Sequence, residues 1–256
     1  MGLLQVSSLV PMYSESSGSG VPVVFIHPPH MDHEVFRYQR QLAEHFRVIL
    51  YDVRGHGQSG IASEPLTISK LADDLRLLLD ELEINRAVVC GYSSGGSVAQ
   101  EFALVYPERT KALILSGGFP QVNTFVLKSE FLAGMALVKA GKQRFLSNVL
   151  SFSHHITDED RRELFRHCLK ADERTAYEFY RESLRYNCTE QLSELSVPLL
   201  LINGSRAHHM HPYIEQYLSR VKQATSVFIA NCSHQVPIKR YSPFNHAVRW
   251  FIRSLG

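Results

Sequence analysis

The segment Gly91-Tyr92-Ser93-Ser94-Gly95 places one serine between small residues, where the apolar run Val88-Val89-Cys90 meets a helix-compatible stretch. The G-x-S-x-G spacing suits a strand-to-helix turn so tight that a side chain two places either side of the serine would meet backbone. Such a turn presents Ser93 as a nucleophile. The helix start behind it aims free N–H groups, that of Ser94 first, at negative charge developing beside the serine. Five residues of pattern also arise by chance. The context decides for the turn, because Val98, Phe102 and Val105 recur at helical spacing and Pro107 follows the last turn.

A serine nucleophile needs a base. Thirteen histidines are present, and most must be surface or core residues. Position singles out His234, which follows the last strand-like run in Asn231-Cys232-Ser233-His234 and precedes the final helix. The cluster His208-His209-x-His211 lacks the i, i+4 spacing of a helical zinc pair and reads as a solvated loop, so no metal is expected.

The elements that must position these residues alternate strand and helix. Strands are expected at 21–26, 48–51, 87–90, 112–115, 199–202 and 226–229, with an earlier pair within 3–13 before a turn over 14–20. Ile68, Leu71, Leu75, Leu78, Leu79 and Leu82 form one helical stripe, and Phe244, Val248, Phe251, Ile252 and Leu255 another. Trp250 reads as packing. The alternation stops between Pro120 and Ser196, where only helical stretches appear, around 125–140, 143–150, 158–170 and 173–186. A crossover needs only about a dozen residues. The excess reads as a helical cap lying over the C-terminal strand ends, where open α/β sheets bind ligands.

The arrangement resembles the α/β-hydrolase family, in particular small esterase-like members with a helical cap. The resemblance covers nearly the whole chain. It rests on His27-Pro28-Pro29, on Asp52-Val53-Arg54-Gly55-His56-Gly57-Gln58-Ser59, on the turn at Ser93 and on the loop at His234. It implies a mostly parallel, doubly covered, eight-stranded-type sheet, with core residues 1–119 and 197–256 and a cap over 120–196. It also implies Ser93 as nucleophile, His234 as general base and no cofactor. The Asp52–Ser59 stretch is expected to be structural, with Gly55 and Gly57 in tight turns and Arg54 and Ser59 tying the loop down.

Two positions depart from the family pattern. The acid that orients the histidine usually ends a G-x-x-D turn, and here that turn reads Gly204-Ser205-Arg206-Ala207. Three readings of Ala207 stand: a natural substitution, an engineered inactivation, and an acid supplied elsewhere, for which Asp32 and Glu34 are candidates. Ser116-Gly117-Gly118, where some relatives carry the acid, offers none. The second departure is Pro29, at the place whose N–H would donate to the oxyanion, because proline has no N–H. Ser94 remains as one donor, and His30 is a candidate for the other if the Pro28-Pro29 turn shifts the register.

Composition is ordinary for a soluble globular protein. Of the 256 residues 45% are hydrophobic and 20% charged, and the net charge is +2, with no basic run that would attract nucleic acid. No apolar run approaches membrane-spanning length. The scattered Cys90, Cys168, Cys188 and Cys232 form no C-x-x-C pair and read as reduced thiols of a cytoplasmic protein. The start Met1-Gly2-Leu3-Leu4 lacks the basic region of a signal peptide. The expected partner is a small ester, lactone or thioester with an apolar acyl part; oligomeric state is not legible. Phe36 and Phe119 are expected to line the pocket, together with a few of the apolar and aromatic cap residues Phe125, Phe131, Leu137, Phe145, Phe152, Tyr177 and Tyr180, most of which are expected to form the cap core. A ligand sensor or partner-binding protein of the same fold, with little turnover, is the alternative. Carbon–carbon cleavage or a lyase step is a third.

Overall fold

The computed structural model describes residues 2–5 as backbone and residues 10–256 with their side chains. The apolar runs form one sheet of eight strands: β1 (Gly2–Gln5), β2 (Pro11–Ser17), β3 (Pro22–Ile26), β4 (Arg47–Tyr51), β5 (Ala87–Tyr92), β6 (Thr110–Ser116), β7 (Leu199–Gly204) and β8 (Ala224–Ile229). Their order is β1-β2-β4-β3-β5-β6-β7-β8. β3 to β8 run parallel, while β2 is antiparallel to both β1 and β4.

The central strands are apolar at nearly every position because both faces are covered. Val24, Ile26, Val89, Leu113, Leu115, Leu199 and Leu201 pack with α1 (Ile68–Glu81) and α2 (Gly95–Val105) on one side. The alternate residues Val23, Phe25, Val88, Cys90, Ile114, Leu200 and Ile202 pack on the other. There they meet a 3-10 helical segment, His33–Glu44, and the C-terminal helix Tyr241–Ser254. One expectation is corrected here. The turn expected over 14–20 is shorter, because β2 continues to Ser17 and pairs Ser14 to Ser17 with Tyr51 to Val48. Its polar composition hid it. Trp250 lies on the outer side of the C-terminal helix, half exposed. The early strand pair expected within 3–13 falls partly on residues 6–9, outside the described residues.

Between β6 and β7 lie four helices: α3 (Phe125–Lys139), α4 (Gln143–Ser153), α5 (Asp158–Cys168) and α6 (Glu173–Arg185). An isolated antiparallel bridge between Gln121 and Asn187 joins the two ends of the insertion. α5 begins with a capping box, in which the Thr157 side chain accepts from the Asp160 N–H and the Asp160 carboxylate accepts from the Thr157 N–H. α6 starts from Asp172, whose side chain accepts from the Thr175 N–H.

The loops at the C-terminal strand ends are held by short polar bonds. His27 Nδ1–H donates to the Pro28 carbonyl at 2.9 Å, and its Nε2 accepts the Val53 N–H at 2.9 Å, so one buried neutral imidazole joins the loops after β3 and β4. Arg54 makes two 2.6 Å bonds to the Asp74 carboxylate on α1. Ser59 Oγ–H donates to the Asp52 carbonyl at 2.6 Å. Gly55 and Gly57 take φ of +69° and +55°, as the expected tight turns require.

His33 is the charged centre of this girdle. Its Nδ1 donates to Asp52 Oδ1 at 2.6 Å, and its Nε2 lies 3.4 Å from Glu15 Oε1. Burial pulls the His33 pKa down, but the bonds to Asp52 and Glu15 outweigh it and push it up to about 10. Burial raises the Glu15 pKa, and the bonds to His33 and Arg40 outweigh that and hold it at about 2.

Two predictions follow from these contacts. A Cβ at Gly95 would lie 2.1 Å from the Ile26 carbonyl oxygen, whereas one at Gly141 (φ +66°) meets nothing within 4 Å. Equilibrium urea unfolding is expected to show a loss of about 3 kcal/mol for Gly95→Ala. For Gly141→Ala the loss is about 1 kcal/mol, from its left-handed backbone alone; equal losses would contradict this packing. Because the folded pKa of His33 lies above its ordinary 6.5, the stability it adds is full below pH 6.5 and is lost as pH rises toward about 10. The stability gap between the parent and His33→Gln should therefore close over that range in pH-series denaturation. A gap that widens would refute the ion pair.

Candidate active site

β5 ends and α2 begins within two residues, and the residues between carry the cost. Ser93 has φ +53°, a left-handed conformation that a non-glycine residue adopts only when its surroundings impose it. They do so here by close approach. A Cβ on Gly91 would stand 2.5 Å from the Gly95 carbonyl oxygen and from Gly96 Cα, and one on Gly95 would strike the end of β3. The Ser93 N–H donates to the Ser116 carbonyl on β6 at 2.9 Å. Ser94 immediately precedes α2, and among the described residues no acceptor takes its N–H.

His234 lies in the loop after β8, on which the turn after β7 is folded tightly. Gly204 approaches that loop so closely that a Cβ would be 2.0 Å from the Ser233 carbonyl oxygen, and the Arg206 N–H donates to the Cys232 carbonyl at 2.8 Å. The His234 ring rests on Gly117, where a Cβ would lie 2.6 Å from Nδ1, and sits 5.4 Å from the Tyr92 ring. Its Nδ1 is buried without a hydrogen-bond partner among the described residues. Burial, aided by the proximity of His209 and His154, pushes its pKa down to about 3. Ala207, at the place of the expected acid, is buried and brings only a methyl group.

Neither candidate for a replacement acid faces His234. Asp32 caps the 3-10 segment through the Glu34 N–H and gives its other oxygen to His167 Nδ1 on α5 at 2.6 Å. Glu34 pairs with Arg40 at 2.6 Å.

Ser93, Ser94, Pro29 and His234 line one cavity of about 380 Å³, the Ser93 and His234 side chains sharing it without a hydrogen bond between them. Its other walls are mainly apolar, with Leu127, Phe131 and Leu137 from α3, Leu146 and Val149 from α4, and Tyr180 from α6. Glu130 is the one acidic residue among its lining.

Several expected wall residues are elsewhere. Phe36 stands behind the wall, packed on Phe25 and Tyr92, and Phe119 stands behind Phe131. Both are fully buried. Phe125, Phe145 and Phe152 point to solvent, and Tyr177 is half-buried outside the cavity. Sequence position places a residue on a loop or helix but not on the side of it that the packing selects.

The loop after β3 is a turn from Pro28 to Met31, closed by the Met31 N–H to the Pro28 carbonyl at 3.4 Å. Proline at its second position and φ +64° at His30 make it type II. The cavity is lined by Pro28, Pro29 and Met31 but not by His30. The His30 side chain turns into the insertion, where Nε2 shares a 3.0 Å hydrogen bond with Ser147 Oγ of α4. α4 also grips the serine turn, because Tyr92 Oη–H donates to His154 Nε2 at 2.9 Å.

The histidine cluster 208–211 is not simply a solvated loop. His208 is exposed, but His209 turns inward and lines the cavity. Sequence reasoning missed His209, His154 and Ser147, and nothing in their spacing marks them. All four cysteines are free and buried. Among the described residues no helix is long and apolar enough to cross a membrane.

Comparison with known proteins agrees with this geometry. The family model for the alpha/beta hydrolase fold matches residues 21–221, and the chain belongs to that family. It is 28% identical over 223 residues to 3-oxoadipate enol-lactonase 2 of Acinetobacter baylyi, covering 82% of this chain and 81% of that one. It is 29% identical over 253 residues to a pimeloyl-[acyl-carrier protein] methyl ester esterase of Nitrosospira multiformis, covering 91% and 94%. In structure it is similar to a thermophilic esterase from Thermogutta terrifontis, with TM-score 0.83 and 24% identity over 96% of this chain and 94% of that one. The chain is thus a hydrolase-family protein with esterase- and lactonase-type relatives.

A carboxylate at position 207 should raise the His234 pKa from about 3, because it favours the imidazolium. NMR titration of the His234 ring protons in Ala207→Asp is expected to show that upward shift. An unchanged midpoint would mean that residue 207 does not face Nδ1.

Proposed function

We propose that this protein is a serine hydrolase of small carboxylic esters, or of the chemically related lactones and thioesters, and that it works through an acyl-enzyme on Ser93. The observation that carries the reading is the left-handed Ser93 at the start of α2, sharing an apolar-walled cavity with His234. Ser93 Oγ attacks the acyl carbon while His234 Nε2 takes its proton, and the oxyanion that forms faces the Ser94 N–H. His234 then returns the proton to the leaving alcohol. A water activated by the same imidazole releases the acid.

Residues 120–196 act in this reading as a cap, with 1–119 and 197–256 as the core. α3, α4 and α6 supply the wall against which an apolar acyl chain packs. The four free thiols suit a reducing compartment, and a cytoplasmic location belongs to the proposal.

Two features make the proposed enzyme slow. An absent triad acid costs about 10⁴ in turnover in a serine protease, and a missing oxyanion donor about 10²–10³. Ala207 and Pro29 occupy those two places. The same pair favours a second reading, a hydrolase-fold ligand sensor or partner-binding protein.

Steady-state hydrolysis of p-nitrophenyl acetate separates the two. The parent is expected to turn over slowly, Ser93→Ala to fall to the uncatalysed rate, and Ala207→Asp to rise by about 10²–10⁴. No Ser93-dependent turnover in either the parent or Ala207→Asp would leave the sensor reading in place of the enzyme.

A further inference from the structure

The cavity shared by Ser93 and His234 has mainly apolar walls, and one charged side chain stands among them. Glu130 sits on α3 with Leu127, Phe131, Gly134 and Leu137, whose helical spacing turns one face of α3 to the cavity. It is exposed as well as cavity-lining, which puts it at the rim. Among the described residues its carboxylate has no partner: partial burial alone raises its pKa, and no neighbouring charge or bond contributes. The pKa of the Tyr92 phenol, next to Ser93 in the chain, is pushed up chiefly by burial. The Glu130 charge adds to that rise, so the carboxylate acts on the floor of the site. Among the described residues no lysine or arginine lines the cavity to answer it. Three histidines do line it, but burial pulls their pKa values down, to about 4 for His154, to about 3 for His234 and in the same direction for His209. At neutral pH they carry no charge, and the cavity is left with one negative charge at its rim.

We propose that Glu130 is a specificity-determining residue: its carboxylate at the cavity rim selects esters that carry an ammonium group and turns away those that carry a carboxylate. This deepens, and rests on, the reading of Ser93 and His234 as nucleophile and base. A carboxylate beside apolar walls is costly to strip of water while it is unpaired, and a substrate cation supplies the missing partner. The Tyr180 ring packs one turn along α3 from Glu130, where a Cβ on Gly134 would lie 3.0 Å from it. It gives the same cation an aromatic surface. An anionic substrate meets the carboxylate with no positive side chain in the cavity to compensate. Glu130 takes no part in the proton transfers between Ser93, His234 and the leaving group; it acts on binding alone.

The test compares p-nitrophenyl hexanoate with its ω-trimethylammonio and ω-carboxy counterparts as substrates at low salt. In the parent, kcat/KM should be about fivefold higher for the cationic ester than for the neutral one, and about fivefold lower for the anionic one, as for a partly exposed ion pair. The preference should lie in KM rather than kcat, because ester and transition state carry the same remote charge. Glu130→Gln should bring the three esters within about twofold of one another, and Glu130→Lys should reverse their order. Ratios between substrates are read within each variant, so a general loss of activity cancels. No cationic preference in the parent, or a preference that survives Glu130→Gln, would overturn the proposal. A second arm needs no turnover. NMR titration of Ser93→Ala with hexyltrimethylammonium should show binding that adding Glu130→Gln weakens about fivefold, and equal binding would overturn the proposal. If none of the esters is hydrolysed, the hydrolase reading fails and this arm alone judges Glu130.

Discussion

α2 lies so close to the ends of β3 and β5 that no side chain fits between them. Gly95 faces the Ile26 carbonyl oxygen and Gly91 faces Gly95 and Gly96, each so closely that a Cβ would stand only 2.1 to 2.5 Å from backbone atoms. This approach forces Ser93 into φ +53° and lifts it above the sheet, at the start of a helix whose leading N–H groups face the cavity. The strain at one residue is held by the packing of the whole parallel sheet, since Val89, Val98, Ala99 and Phe102 are all buried around the turn.

Around that turn the loops are joined by polar bonds rather than by regular structure. His27 links the loops after β3 and β4, His33 sits between Asp52 and Glu15, and Arg54 reaches Asp74 on α1. The insertion joins the same set through Ser147 to His30, His154 to Tyr92 and His167 to Asp32. Three histidine contacts thus tie α4, which walls the cavity, and α5 beside it to the strand end and loops below. In the His234 loop beside this network the ring Nδ1 is buried and, like His30 Nδ1 and His56 Nε2, has no partner among the described residues.

Much of this was legible from the chain. The glycine spacing about Ser93 has a steric cause, and the same cause appears as distances in the fold. The strands with both faces covered are apolar at nearly every position, and the helical stripes of α1 and of the C-terminal helix are the ones buried. What escaped the sequence depends on neighbours rather than on pattern. β2 is built from Ser14, Glu15, Ser16 and Ser17, whose strand character comes from pairing with β4. Phe36 and Phe119 stand one layer behind the wall because Tyr92 and Phe131 take the front positions. Asp32 looked free to serve His234 until His167, distant in sequence, claimed it. His209 shares a solvated-looking run with His208 and His211, and only the fold of the turn after β7 sends it inward.

The most direct measurement of the central claim is covalent. Mixing the protein with an excess of an activated ester, quenching in acid and mapping the peptides by mass spectrometry identifies the residue that carries the acyl group. The account predicts one acyl adduct, on the peptide bearing Ser93, that decays as the ester is consumed. An adduct confined to another residue, or none at any quench time, would contradict it.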